Sequence, residues 1–287
     1  MLFGSHLDRP VRLAVRDGRE VVVKTYRRGG CRQVHDEMLA LWRSPFGRER
    51  RPPGLPEPLD VNPATGEVVM ARVPGRPLAA RGDLGDSVLR LPEVAVLLAD
   101  LHTSGVTFMR VRSSRRVLAS SRRKATDLRA DSLGQAAGSA SVAVAAAATS
   151  IVEQLDRCCP TQEALVPSHG DFSPRNVLGD VAGVVLIDLD RMQMADPAHD
   201  LAYWGAWAWA TQAMNDLTPT WEVLGDLVSQ YTGHLGDLSP AVGENLAFHQ
   251  GAALVRIVHG WSTLADTPSV QLVLLAAAAR LLDPCAT

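Results

Sequence analysis

The sequence predicts an α+β protein of two lobes: a small antiparallel β-sheet lobe with one helix, and a larger, mainly helical lobe. Two hairpin patterns flank one amphipathic helix pattern near the start of the chain, and helical patterns dominate the remainder. The chain has 287 residues, of which 46% are hydrophobic, enough for a sizeable core. We expect the first lobe to span residues 1–73 and the second to span 74–287.

The first lobe opens on a predicted hairpin. Runs rich in β-branched residues occupy 11–15 and 20–26, and Asp17-Gly18 between them is a pair preferred in tight hairpin turns. Residues 32–43 follow with apolar positions at helical spacing, and Pro45 ends that pattern. A second hairpin is predicted from residues 59–61 and 67–73.

Helical patterns dominate the second lobe, which begins after a Pro- and Gly-containing linker at 74–77. An apolar run at 184–187 predicts a short buried strand among these helices. The predicted helices span 92–103, part of 110–129, 139–157, 197–214, 219–235, 239–264 with a break, and 269–282.

Polar residues cluster in one loop between two apolar segments. Asp171 and Asn176 are five positions apart with Pro174 between them, so a tight loop can direct both side chains into one cleft. Asp188 directly follows the strand predicted at 184–187 and emerges at its end. Carboxylate and amide oxygens suit Mg²⁺, so Asn176 and Asp188 are predicted metal ligands. Asp171 is then placed to accept the proton of an attacking hydroxyl, as phosphoryl transfer requires.

These motifs resemble those of the aminoglycoside phosphotransferase and choline-kinase-like family, relatives of the protein kinases. The family's H-G-D-x-x-x-x-N loop matches His169 to Asn176, its I-D strand end matches Ile187-Asp188, and its D-P-x-x-D-L-A matches the segment from Asp196 to Ala202. The resemblance implies a protein-kinase-like fold and Mg²⁺-dependent transfer of the γ-phosphate of ATP (or GTP) to an acceptor hydroxyl.

The resemblance also implies roles outside the catalytic loop. Lys24 resembles the strand lysine that binds phosphate, with Glu37 as its ion-pair partner. His169 is expected to order the loop rather than act as a base, and Asp200 to support the loop. The expected hinge, where backbone groups hold the nucleotide base, is made by Met70, Ala71, Arg72 and Val73.

The acceptor is left open by the sequence, because two charged regions point in opposite directions. Residues 180–287 contain twelve Asp/Glu against three Lys/Arg, which favours a cationic small molecule such as an aminoglycoside-like or peptide antibiotic. Residues 110–129 contain eight Lys/Arg against one Asp/Glu. This basic run fits either a solvated face or a grip on an acidic peptide or phosphorylated acceptor. A metabolic small alcohol, Ser/Thr of a natural-product precursor peptide, and a pseudokinase that only binds nucleotide are the remaining alternatives.

Nucleic acid and membranes are not expected as partners. The basic run lacks interleaved aromatic residues, and charged residues stand at Asp8, Arg9 and Arg12, where a signal peptide would be apolar, so a cytoplasmic location is expected. Only residues 1–10 precede the first predicted strand, with Gly4 as their one glycine, so the lid over the nucleotide is predicted to be short unless the chain begins further upstream.

Two features of the second lobe have two interpretations each. Asp190 is either a second metal contact or a plain loop carboxylate. The aromatic residues of the helix predicted at 197–214 are expected mainly in the core, with a stacking wall for the acceptor as the alternative. They are Tyr203, Trp204, Trp207 and Trp209.

Overall fold

The computed structural model describes residues 10–26, 30–79, 84–133, 139–215, 217–235, 239–261 and 268–283. The predicted lid at 1–10 lies almost wholly outside this part of the chain. Within it, no helix is long and apolar enough to cross a membrane.

A four-stranded antiparallel sheet forms the start of the chain, with strand order β1-β2-β4-β3. Its strands are β1 (Val11–Arg16), β2 (Arg19–Thr25), β3 (Pro58–Asn62) and β4 (Glu67–Ala71). Asp17 and Gly18 both have positive φ, 49° and 74°, which is the backbone that a tight hairpin turn needs. Helix α1 (Cys31–Arg43) buries its predicted apolar stripe, including Val34, Met38 and Leu41, against β3 and β4. Both predicted hairpins and the helix are therefore present.

Helices make up most of the remaining chain. A one-turn helix α2 (Pro45–Arg48) follows α1 directly, with Pro45 at its first turn. The others are α3 (Gly85–Leu89), α4 (Leu91–His102), α5 (Ser114–Ser132), α6 (Ser139–Arg157), α7 (Ala198–Met214), α8 (Glu222–Leu235), α9 (Ser239–Gly260) and α10 (Pro268–Leu281).

Helix α9 runs unbroken over Ser239–Gly260, so the break expected within 239–264 is absent from this part, and residues 262–264 lie outside the described residues. Gly251 in its interior lies against neighbouring helices, and a Cβ there would meet the Leu282 side chain at 2.9 Å. The glycine thus permits close packing of helices instead of ending one, and tertiary contacts override its low helix propensity.

Two small sheets position the catalytic segment. In one, β6 (Val111–Arg112) pairs in parallel with β10 (Gln193–Ala195), and β10 pairs antiparallel with β7 (Val166–Ser168). In the other, β5 (Arg76–Pro77) pairs with β8 (Val177–Asp180), which pairs with β9 (Gly183–Leu186). The catalytic loop runs from β7 to β8, so each of its ends is anchored in a sheet.

The core is continuous across the predicted lobe boundary at residue 73. One buried cluster includes Met38 of α1, Leu97 of α4, Phe172 of the catalytic loop and Trp204 of α7. A second cluster joins α5, α6, α7, α9 and α10. The boundary itself stays a prediction.

Candidate active site

The catalytic loop is held in shape by the Asp200 carboxylate. Its two oxygens accept hydrogen bonds from the backbone N–H groups of His169, at 2.7 Å, and Gly170, at 2.9 Å. Gly170 has φ 77°, and a Cβ there would lie 2.3 Å from the carbonyl oxygen of Arg191. The Gly in this motif is therefore required by backbone conformation and by space.

Asp200 is fully buried, and polar side chains that contact it keep its carboxylate ionised. His102 Nε2 lies 3.5 Å from Asp200 Oδ2, and the other ring nitrogen of His102 contacts the hydroxyl of Tyr231. Burial alone would raise the pKa of Asp200, but hydrogen bonding and charge from His102, with His199 and His169, lower it to about 2. Asp200 therefore lies where the expected supporting role requires it, and the role itself stays a prediction.

His169 contacts the protein backbone through its ring. Its Nε2 lies 2.9 Å from the carbonyl oxygen of Ile187, and its Nδ1 accepts a hydrogen bond from the N–H of Asp171 at 3.2 Å. The carbonyl can only accept, so the proton is on Nε2 and Nδ1 is already engaged. Both ring nitrogens are thus engaged with the backbone, which leaves none free to act as a base, and the ordering role of His169 stays a prediction.

Asp171 is 9% exposed and faces two arginines. Arg256 of α9 contacts one carboxylate oxygen and donates a 3.0 Å hydrogen bond to the Gly170 carbonyl, while Arg191 Nε lies 4.0 Å from the other carboxylate oxygen. Burial opposes ionisation, but the charges of Arg256 and Arg191 outweigh it, so the pKa of Asp171 lies below its usual value. Asp171 is thus a carboxylate at neutral pH.

Asn176 and Asp188 meet in a cavity of about 440 Å³ between the four-stranded sheet and the β8–β9 hairpin, here called the cleft. The Asn176 side chain donates to the Asp171 carbonyl at 2.9 Å, which ties the predicted ligand to the catalytic loop. Asp188 has φ 60° and ψ 52°, a left-handed conformation uncommon for a residue with a side chain. Such strain is frequent at functional sites.

Lys24 lies in the cleft, but its partner differs from the expected one. Its ammonium contacts Asp188 and lies 2.5 Å from Asp190 Oδ2, whereas Glu37 accepts a 3.0 Å hydrogen bond from Gln33. Since two carboxylates converge on this ammonium, the local charge draws Lys24 toward them and away from α1. Asp190 also contacts the Tyr26 hydroxyl, so it is an integral part of the cleft.

The expected hinge is divided between the cleft and the surface. Met70, Ala71 and Val73 line the cleft. Arg72 points outward and pairs with Glu20 at 2.7 Å. The backbone N–H groups of Ala71 and Arg72 donate to the carbonyls of Glu57 and Glu20.

A second cavity, of about 670 Å³, is lined by Asp171 and is here called the basic cavity. Asp171 is the one acidic residue among its described lining residues. Tyr203 and Trp207 of α7 form part of its wall, while Trp204 is fully buried, so the aromatic residues of α7 serve both the core and a cavity. The cations that line it are Arg110, Arg112, Lys124, Arg175, Arg191 and Arg256.

Arg256 and Arg175 are site residues that the sequence motifs do not reveal. The Arg256 guanidinium lies 4.0 Å from the Tyr203 ring centroid, and that of Arg175 lies 4.3 Å from the Trp207 centroid. Arg256 is 85 residues from Asp171 in sequence. The available signal was that Arg256 is the one Lys or Arg in the apolar helix pattern at 239–264.

Comparison with known proteins agrees with the predicted family and fold. The sequence matches the phosphotransferase enzyme family (APH) over residues 2–225, about three quarters of the chain. The protein therefore belongs to this family and is a phosphotransferase that acts on hydroxyl groups, not a binding module. A search of curated proteins found no match.

Solved structures share the fold at low sequence identity. An aminoglycoside 3'-phosphotransferase of type VIII is 24% identical over 85% of this chain and 88% of its own, with a TM-score of 0.56. The choline kinase LicA from Streptococcus pneumoniae is 15% identical over 98% and 91%, with a TM-score of 0.58. The spectinomycin phosphotransferase APH(9)-Ia, solved with ADP and spectinomycin, is 12% identical over 99% and 88%, with a TM-score of 0.60. The fold is thus the protein-kinase-like fold that the resemblance implied.

Proposed function

We propose that this protein transfers the γ-phosphate of ATP (or GTP) to the hydroxyl of a small acceptor, with Mg²⁺ as the metal. The observation that carries the proposal is that Asp171 lines the basic cavity, while its backbone carbonyl accepts a hydrogen bond from Asn176, which lines the cleft. The nucleotide would occupy the cleft, with Lys24 at its phosphates and the backbone from Ala71 to Val73 at its base. A cytoplasmic setting, where such nucleotides are available, belongs to the same proposal.

The cleft offers the oxygen donors that Mg²⁺ prefers. Asn176 and Asp188 both line it, and Asp188 and Asp190 already converge on one cation, the Lys24 ammonium. Mg²⁺ needs few protein ligands because it retains water and binds phosphate oxygens. When bound, it would neutralise charge on the phosphates and hold them in place. Asn176 and Asp188 are the proposed ligands, with Asp190 available as a further one.

Asp171 is proposed to orient the acceptor hydroxyl. The hydroxyl oxygen attacks the γ-phosphorus, the bond from that phosphorus to the oxygen bridging the β-phosphate breaks, and the nucleoside diphosphate leaves. The hydroxyl proton passes to Asp171 and then to solvent. Because the pKa of Asp171 is low, its main contribution would be position and negative charge, with proton transfer late in the step.

The cationic acceptor favoured by the acidic C-terminal third receives little support from the site. Several of its carboxylates have interior roles: Asp188 and Asp190 in the cleft, and Asp200 at the catalytic loop. Glu222 and Asp226 are exposed on α8 and do not line the basic cavity. Asp216, Asp237 and Asp266 lie outside the described residues.

The test is nucleotide binding by Asp188→Ala, with Asp226→Ala as a matched control on an exposed helix face. We expect calorimetry to show Mg·ATP affinity reduced at least about tenfold in Asp188→Ala and unchanged in the control. Wild-type affinity for Mg·ATP in Asp188→Ala would contradict the ligand assignment. Competition between ATP and GTP in the same titration would establish the preferred nucleotide.

A further inference from the structure

The basic cavity carries more positive charge than its own residues neutralise. Asp171 contacts Arg256 and lies near Arg191, so this carboxylate is already engaged. Lys124 donates to the neutral hydroxyl of Ser120 at 2.5 Å. Among the described residues, none accepts a hydrogen bond from the half-buried guanidinium of Arg112. Asp127 is not among the lining residues, but it pairs at 3.3 Å with His259, which is.

The fold assembles these cations from distant segments. The parallel pairing of β6 with β10 brings Arg112 opposite Ala195, close to the catalytic loop. Helix α5 adds Lys124, and α9, which packs against α5, adds Arg256. Three elements therefore direct cations into one cavity, beyond what a solvated basic helix face requires.

The protonation behaviour of the cavity agrees with this geometry. Burial, together with the nearby charges of Arg112, Arg256 and Arg191, lowers the pKa of Lys124 to about 8. Burial and neighbouring arginines likewise lower the pKa of Arg112 to about 10. Both side chains are held against mutual repulsion, which a bound anion would relieve.

The nucleotide does not account for all of these cations. Arg191 and Arg256 flank Asp171 and can serve the transferred phosphate. Arg112 and Lys124 line the basic cavity and not the cleft, where the triphosphate is proposed to bind. Together with Ser120 they also line a small recess beside α9, further along the cavity wall.

We propose that the acceptor is a small hydroxyl compound that itself carries an oxyanion group, a phosphate or a carboxylate, bound by Arg112 and Lys124. This inference rests on the proposed function, since it places the acceptor hydroxyl at Asp171. The cavity volume of about 670 Å³ suits a small molecule. The transfer step is unchanged, because the anionic group lies at the far end of the acceptor and takes no part in bond making.

The experiment measures binding by calorimetry with the nucleotide site saturated by Mg·ADP. The probes are matched sets: glycerol with its phosphate ester and glyceric acid, glucose with its phosphate ester and gluconic acid, and the polycation kanamycin. We expect the anionic member of at least one set to bind about tenfold or more tightly than its uncharged parent. Comparison of the phosphate ester with the carboxylic acid in each set identifies which oxyanion the cavity prefers.

Variants then assign the binding to the cavity. Arg112→Gln and Lys124→Gln should each weaken anion binding about tenfold. Lys124→Arg should retain it, and Arg129→Gln, on an exposed part of the same helix, should leave it unchanged. Preferential binding of kanamycin or the uncharged parents, binding by none of the anionic probes, or equal losses in Arg129→Gln would overturn the inference.

The experiment distinguishes failure of the proposed function from failure of the anionic-acceptor proposal. If Mg·ADP does not bind, the nucleotide assignment fails, and the same probes titrated without nucleotide still report on the basic cavity. If Mg·ADP binds and the anions do not, the phosphotransferase proposal stands and the anionic acceptor is rejected.

Discussion

At the scale of single residues, the contact between Asp171 and Arg256 determines what the carboxylate can do. An arginine in direct contact keeps the Asp171 carboxylate ionised and fixes its orientation, but it also makes the carboxylate a weaker base. The Tyr203 ring beneath Arg256 fixes the guanidinium in turn. The pair therefore favours a carboxylate that positions a hydroxyl over one that removes its proton early.

Asp171→Asn should retain the fold and the affinity for Mg·ATP but lower kcat by roughly 10²-fold or more. The asparagine side chain is nearly isosteric with aspartate, but it cannot accept the hydroxyl proton or neutralise the positive charge of Arg256. Nucleotide affinity is measured by calorimetry, and turnover by mass spectrometry with whichever acceptor the binding screen identifies. A near-normal kcat for this variant would remove Asp171 from the mechanism.

Lys124 predicts how anion binding depends on pH. In the protein without a ligand, burial and nearby arginines lower the pKa of Lys124 to about 8. A bound anion would raise this pKa, so anion binding requires protonated Lys124 and weakens as pH rises. Between pH 7 and pH 9 the affinity should fall about tenfold, since that range crosses this pKa. The titratable and charged groups that line cavities with Lys124 or act on its charge are Arg112, Arg123, Asp127, Arg191, His199, Tyr203, His249, Arg256 and His259.

The measurement is calorimetric titration of the preferred anionic probe at several pH values. His199 does not contribute to this range, because burial lowers its pKa to about 4. Lys124→Gln should flatten the profile, whereas Arg129→Gln should preserve it. A profile equally steep in Lys124→Gln would assign the pH dependence to another group.

At the scale of elements, the catalytic loop depends on a side chain from α7. Asp200 satisfies two backbone N–H groups at the start of the loop, and His102 of α4 and Tyr231 of α8 stand behind it. Three helices thus hold one loop through a chain of buried polar contacts. Loss of one acceptor in such a chain leaves a buried donor unpaired.

Asp200→Asn should destabilise the protein by about 2–3 kcal/mol at neutral pH, because one loop N–H loses its charged acceptor. The folded-state pKa of Asp200, about 2, lies below its usual value, so its contribution is present above about pH 4 and is lost as pH falls toward 2. Denaturant unfolding of both proteins at pH 7 and pH 3 measures this. A difference that grows at the lower pH would contradict the assignment.

The elements themselves were largely predictable, because their signals are local. The Asp17-Gly18 turn and the apolar stripe of α1 are properties of neighbouring residues, and so is the H-G-D loop. The exceptions are long-range. Helix α9 continues through Gly251, which packs against Leu282, and Lys24 contacts Asp188, a residue distant in sequence, rather than Glu37.

The sequence motifs predicted the site residues of the catalytic loop and the cleft, but not those of the basic cavity. His169, Asp171, Asn176 and Asp188 occur within one short stretch, whereas Arg112 and Lys124 reach the cavity only through the pairing of β6 with β10 and the packing of α5. Sequence alone presents these two as members of a basic run. The acidic C-terminal third therefore favoured a cationic acceptor and the basic run an anionic one, and net charge along the chain could not decide between them.

At the scale of the whole molecule, hydrogen bonds beside the cleft join the two predicted lobes. Arg50, in the segment between α2 and β3, hydrogen bonds to Asp100 of α4 at 3.0 Å and to the carbonyl of Val184 in β9 at 3.1 Å. The carbonyl of Gly54 accepts a 2.9 Å hydrogen bond from the Leu186 N–H of the same strand. The sheet that carries Lys24 is thereby held against the strand that leads to Asp188.

Arg50→Ala should loosen this attachment and weaken nucleotide binding more than it alters the chemistry. It removes a half-buried charge that bridges two parts of the fold and leaves the Val184 carbonyl without this donor, at a cost of about 1–3 kcal/mol in unfolding free energy. Because Lys24 and Asp188 come from opposite sides of the cleft, a less fixed geometry should raise KM for Mg·ATP severalfold with a smaller change in kcat. Arg48→Ala, at an exposed position two residues earlier, is the matched control. Steady-state kinetics and denaturant unfolding test both effects, and an unchanged KM together with normal stability would show that Arg50 does not join the lobes.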